Sequence, residues 1–271
     1  MTDLSRLTRK DLPSAVALST SFGWPHTPDD WALMLQMGHG RKQECDGELQ
    51  GTVMWWPLGP NVASLGMVMV PKRLQGRGIG QELLKAAMLA NAGQSLRLTA
   101  TDEGLPLYER RGFRATGRIF EHQGIAAPID TIADGISIAG ADIDADVLRL
   151  DRMLTALDRK AVLRALLAVS EVAVASGKDQ KASGFAMCRA FGYGHLIGPV
   201  VAPDTATARA LIGFFLHRHA GRHLRIDTPA VHGLSDWLET QGLAKTSHAT
   251  AMRCGPDVGN PVYALASQAL G

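Results

Sequence analysis

Two stretches of this 271-residue chain carry the same pattern in the same order, and that repetition limits the fold more than any other feature. LRLTATDEGLPLYERRGF (Leu96–Phe113) and LRIDTPAVHGLSDWLETQGL (Leu224–Leu243) each run Leu-Arg-aliphatic, then Gly-Leu, then Gly followed by an apolar residue. Each reads as a short strand, a short helix and the start of another strand. What precedes them is alike too. In the first half, helical patterns over 8–22 and from Thr27-Pro28 lead to strands at Arg41–Cys45, Leu49–Trp56 and Val62–Val70, the first two joined by Asp46-Gly47, then to a helix over Gly78–Asn91. In the second, a helix over Val147–Leu167 leads to strands at Ser170–Gly177, Gly184–Arg189 and Gly194–Ala202 and a helix over Asp204–His219. A tandem duplication of one mixed α/β unit is the reading that accounts for both orders. The segment Gly124–Gly140, small, apolar and free of Lys and Arg, reads as the linker, which places the units at 1–128 and 129–271.

Charge and cysteine content narrow the function. With 28 Lys+Arg against 26 Asp+Glu the net charge is only +2, too weak a field to hold a polyanion, so nucleic acid is not an expected partner. Three scattered cysteines with no CxxC offer neither a zinc site nor a disulfide framework, and no metal is expected. Residues 1–13 lack the apolar core of a signal peptide and no stretch is long enough to span a bilayer, so a soluble cytoplasmic protein without a membrane partner is expected, its oligomeric state open.

The sharpest local motif is Gln75-Gly76-Arg77-Gly78-Ile79-Gly80, between an apolar strand and a helix. Alternate glycines let a ligand approach the backbone, and the helix N-terminus beyond offers unpaired N–H groups and a positive dipole end. Together these make a phosphate site, with Lys72, Arg73 and Arg77 as countercharge. GxGxG is neither the Walker loop nor the dinucleotide fingerprint, and a mere tight turn is the competing reading.

Val68–Leu84, VMVPKRLQGRGIGQELL, resembles the acetyl-CoA signature of the GNAT N-acetyltransferases, Q/R-x-x-G-x-G/A, here Gln75, Gly78 and Gly80. Thr99–Phe113 resembles that family's later segment, in which a Tyr stands four residues before a Gly-Phe pair. The specific motifs lie within 62–122. The whole chain is similar to the tandem subgroup, with a catalytic unit, a degenerate second one and a terminal strand at Asn260–Gly271.

The resemblance implies an α/β (α+β) fold of two tandem domains, each a mixed, mostly antiparallel sheet flanked by helices. It implies direct transfer of acetyl from acetyl-CoA to a primary amine in a ternary complex, the acceptor being a small molecule, a peptide N-terminus or a lysine. The backbone of Val68, Met69 and Val70 would hold the pantetheine arm, residues Gln75, Gly76, Arg77, Gly78, Ile79 and Gly80 the pyrophosphate, and Tyr108 would protonate the departing thiolate. The central strand carries no carboxylate, so the general base is left among Glu121, His122, Glu44, the terminal carboxyl of Gly271 and water. A non-catalytic acyl-CoA-binding regulator is the alternative that this absence keeps open.

In the second half no glycine loop follows the third strand, Asp204 stands where phosphate would need N–H groups, and Leu238 replaces the acid. That half is expected to be structural or substrate-shaping. Trp24-Pro25-His26 is a candidate wall of the acceptor site. Trp55-Trp56 reads as sheet packing before cleft lining, and His217, His219 and His223 read as a solvated helix end.

Overall fold

The computed structural model describes residues 4–127, 133–140, 142–177 and 181–270. Short-range signals set many element ends. Thr27 accepts a hydrogen bond from the Asp30 N–H while the Asp30 carboxylate accepts from the Thr27 N–H, a reciprocal cap that starts α2 (Pro28–Met37) after α1 (Leu12–Ser21). Asp46 and Gly47, at φ 50° and 78°, turn β2 (His39–Cys45) back into β3 (Glu48–Pro57). Then come β4 (Val62–Met69), α3 (Ile79–Ala90), β5 (Ser95–Ala100), α4 (Leu105–Glu109) and β6 (Arg114–Ile125). The second half repeats the order: α5 (Asp144–Thr155), α6 (Lys160–Leu167), β8 (Glu171–Ser176), β9 (Ala182–Phe191), β10 (Gly194–Val201), α7 (Thr205–Arg218), β11 (His223–Pro229), α8 (Ser235–Thr240) and β12 (Ala244–Cys254).

Three expectations need correction, and one strand is added. The single helix over Val147–Leu167 is two, because Ala156 at φ 58° ends α5 in a left-handed turn. A short strand β1 (Leu4–Arg6) pairs with β2, and another, β7 (Ile136–Ile138), lies inside the presumed linker and pairs with β8. The terminal segment from Asn260 is no strand but an irregular chain with one bridge, Ala264 to Val200. The unit boundary at residues 128 and 129 lies outside the described residues, as does Gly271.

The two expected sheets are joined into one of twelve strands, in the order β1-β2-β3-β4-β5-β12-β6-β11-β10-β9-β8-β7. The last strand of each half is exchanged: β12 fills the place beside β5, and β6 the place beside β11. Pairing is antiparallel except for β4 with β5 and β10 with β11. One face of the sheet packs α3 and α4 in the first half and α7 and α8 in the second, around Leu83, Leu84, Phe215 and Leu238. The other face buries Trp31, Trp56, Leu150, Leu163 and Phe185 under α2, α5 and α6, a core that both halves share.

Candidate active site

Both parallel pairs come apart partway, and those gaps position the site. β4 and β5 pair only from Val62↔Ser95 to Leu65↔Leu98. Beyond Leu65 the strand bulges: Met67 adopts φ 52°, held by a 2.8 Å hydrogen bond from the Thr52 hydroxyl to its carbonyl. The backbone of Val68–Val70 therefore leaves β5 and borders a cavity of about 830 Å³ that passes from one face of the sheet to the other. Val68, Met69, Val70, Gln75, Gly76, Gly78, Ile79, Gly80 and Tyr108 all line it, although they are spread over 41 positions of sequence.

The loop earns its glycines by geometry. Gly76 and Gly78 sit at φ 78° and 84°, in the left-handed region, with open space where a Cβ would stand. Gly78 is the N-cap of α3 and has no side chain to cap it, so the N–H groups of Ile79, Gly80 and Gln81 have no acceptor among the described residues. A row of unsatisfied donors at a positive dipole end, beside an unpaired strand edge, fits a ligand combining a diphosphate with an amide-bearing arm. The countercharge is rearranged: Arg77 lines a smaller recess behind the loop with Gln43 and Gln50, and Arg73 is paired with Glu48.

Tyr108 lies on α4, its ring packed edge-on to Phe113 at 5.9 Å and 8% exposed. Burial pushes its phenol far above the usual range, so it stays protonated at neutral pH, and its hydroxyl has no hydrogen-bond partner among the described residues.

On the opposite face the cavity is walled by both halves. Phe22, Trp24 and His26 come from the loop between α1 and α2, Phe191 from β9, Arg225 from β11 and Ser267–Ala269 from the C-terminal segment. His26 packs edge-on to Phe191 at 5.3 Å, and burial lowers its imidazole to about 4 against the pull of Asp30, so it is neutral at pH 7. Arg189 pairs with Asp30 at 3.3 Å in the buried seam behind this wall. The second-half lining residues gave no sequence signal, because only the strand exchange and the path of the C-terminus bring them here.

The candidate bases are dispersed. Glu121 reaches the cavity, but Gln123, Thr246, Arg225 and Gln268 all donate to its carboxylate, at 3.0, 3.1, 2.8 and 3.3 Å. His122 is fully buried between the Leu243 carbonyl and the Ser235 hydroxyl, and Glu44 is paired with Lys42 on β2. Trp55 and Trp56 are buried sheet residues, Trp56 donating to the Met34 carbonyl at 2.8 Å. His219 is not solvated: it is 4% exposed and its ring lies 4.6 Å from that of His195, tilted by 38°, whereas His217 is exposed. Among the described residues no group of three or more His, Cys, Asp or Glu could hold a metal, and no helix is long and apolar enough to cross a membrane.

A sheet split at its central strand thus stands beside open donors at the start of the following helix. Two family models, each described as an acetyltransferase (GNAT) domain, match residues 43–128 and 147–262, and the chain belongs to the GNAT acetyltransferases, with two such domains in tandem. It is 27% identical over 282 residues to the uncharacterised N-acetyltransferase YitH of Bacillus subtilis, covering 99% of this chain and 98% of that one. Among solved structures it resembles an assigned acetyltransferase of Pyrococcus horikoshii (TM-score 0.84, 20% identity, 99% and 95% of the two chains). It also resembles a tandem GNAT protein of clavulanic acid biosynthesis (TM-score 0.67, 12% identity, 94% and 99%).

Proposed function

We propose that the chain is an acetyl-CoA-dependent N-acetyltransferase acting on a primary amine by direct transfer in a ternary complex, with one active site, in the first half. The observation that carries this reading is the one cavity shared by the split strand Met67–Val70, the uncapped start of α3 and the buried Tyr108, whose hydroxyl has no partner among the described residues. Acetyl-CoA, when bound, supplies the thioester. The open N–H groups of the loop and helix hold its diphosphate, and the free edge of Val68–Val70 aligns the arm and polarises the thioester carbonyl. The amine nitrogen attacks the carbonyl carbon as the C–N bond forms and the C–S bond breaks. Tyr108 gives its proton to the leaving sulfur, and the proton lost by the amine passes to water.

The units proposed for this reading are 1–128 and 129–271. Because β12 completes the sheet beside β5, the first of them alone would present an unpaired strand edge and is expected to be poorly soluble. The test is calorimetry with acetyl-CoA followed by thiol release with a panel of primary amines. One acetyl-CoA per chain and amine-dependent thiol release are expected. Binding without release for any amine would favour the regulatory alternative, which the engaged Glu121 carboxylate and the absence of a β4 carboxylate support.

A further inference from the structure

The second half has the same split as the first, and it is filled by the chain itself. Superposing the parallel pairs through Leu65↔Leu98 and Ile197↔Ile226 makes Gly66 equivalent to Gly198, and Val68 equivalent to Val200. β10 also bulges between Ile197 and Val200. In the gap beyond, Tyr263 donates its N–H to the Val200 carbonyl at 2.9 Å, and the Val200 N–H donates to the Ala264 carbonyl at 3.0 Å. On the far side the Leu265 N–H donates to the Asp227 carbonyl at 2.8 Å, and the Thr228 hydroxyl to the Tyr263 carbonyl at 2.8 Å. Residues 262–266 thus bond both lips of the split, and Val262, Ala264, Leu265 and Ala266 are all buried. Any side chain at Gly198 would collide with the Leu265 carbonyl, so the strand is shaped to this occupant.

The same segment then crosses to the first half. Arg189 donates to the Ala266 carbonyl at 3.3 Å. The Gln268 amide donates to Glu121 and Asp227, at 3.3 and 3.2 Å. The Ala269 carbonyl accepts from the Ser64 hydroxyl at 2.7 Å, and a Cβ on Gly66 would come 2.9 Å from the Ala269 methyl. Ser267, Gln268 and Ala269 therefore border the cavity on the side away from α3, facing the Trp24–His26 loop; Gly192 at the tip of the β9–β10 hairpin lies against Pro25 of that loop, and its N–H donates to Asp30 on α2 at 3.2 Å.

We infer that the C-terminal segment is a built-in occupant of the second half's cleft, where an acyl carrier's arm would otherwise lie, and that its tip, Ser267–Ala269, is the floor that sets acceptor size in the first. The acceptor is a small free amine, not a lysine held in a polypeptide. Three converging segments narrow this side of the cavity, where a peptide would need an open groove several residues long. This rests on the acetyltransferase reading above.

Hydrogen exchange tests the plug without any activity: the Val200, Tyr263 and Leu265 amides should be among the slowest in the protein, and exchange within seconds overturns it. The floor is tested with a chain ending after Ala266 and with full-length Gln268→Ala, each compared with the full chain on ethylamine and on a lysine-containing octapeptide. Both kcat/KM and the calorimetric Kd in the presence of coenzyme A are measured, so that a chain that binds without transferring still answers. The full chain should prefer ethylamine, and the shortened chain should shift the peptide-to-ethylamine ratio by at least tenfold toward the peptide. Gln268→Ala should move it the same way by less, with acetyl-CoA affinity within twofold throughout. A full chain that takes the peptide equally well, or takes neither amine, or a ratio that does not move, overturns the floor. Failure to bind acetyl-CoA at all removes the acetyltransferase reading instead and leaves the exchange result standing.

Discussion

The starts of α3 and α7 stand at equivalent places after equivalent strands, yet they present opposite chemistry. α3 begins at Gly78, left-handed and without a side chain, and leaves its first N–H groups open to the cavity. α7 begins at Asp204, extended, whose carboxylate accepts the Thr207 N–H at 2.8 Å, and that bond holds the Asp204 carboxyl below its usual range. The first half also has the insertion Lys72–Arg77 between strand and helix, whereas the second runs from Ala202 into its cap within two residues. One helix N-terminus is left open and the other is satisfied internally, which teaches that a duplicated fold can keep its frame and change the chemistry of a helix start by changing one turn.

The largest expected effect concerns the wall that only the first cleft has. His26 titrates near 4 in the folded chain against 6.5 unfolded, so its neutral form is the stabilising one. Its contribution, ~3 kcal/mol, is complete above pH 6.5 and is lost progressively as pH falls to 4. Urea unfolding of wild type and His26→Leu should converge in acid sensitivity only if the loop were not packed on Phe191. The wild type is expected to lose markedly more stability over that range.

Next is the acid. Tyr108→Phe keeps the ring and deletes the hydroxyl, which leaves the first half as the second already is at Leu238, and kcat should drop by ~100-fold with acetyl-CoA affinity unchanged. Turnover near wild type in a thiol-release assay would reassign that proton. A smaller change is expected from Gly78→Asp, which copies the Asp204 cap onto α3. A carboxylate at φ 84° both takes up an open N–H and repels phosphate, so acetyl-CoA should bind at least ~10-fold more weakly in calorimetry, about 1.4 kcal/mol. The smallest effect is the reverse operation. Asp204→Ala should cost ~1 kcal/mol in thermal or denaturant unfolding and leave acetyl-CoA affinity where it was, and a changed affinity would mean that the second helix end does take part in binding.

Much of this contrast was legible in the chain. GxGxG before a helix announced open donors, Asp204 before Thr205 announced a cap, and the pairs Tyr108 and Gly112, Leu238 and Gly242, aligned the halves. These signals are short-range: a turn, a cap or a glycine conformation is decided by a few neighbouring residues, and a sequence lists those neighbours directly. The break of the second-half helix at Ala156 was not legible, since an alanine in a left-handed turn contradicts its own propensity.

What the sequence by itself determined is the duplicated α/β unit, the order of nearly all its elements, the phosphate-ready loop and the half in which it lies. The tertiary structure alone decided that β6 and β12 change places, that Arg225 and Phe191 of the second half wall the first half's cavity, and that the chain's end fills one cleft and floors the other. The reason is physical. Strand exchange and the docking of residues 260–270 depend on backbone hydrogen bonds to partners more than 30 positions away, and backbone donors and acceptors are the same in every residue but proline, so no side-chain pattern records which edge they will meet.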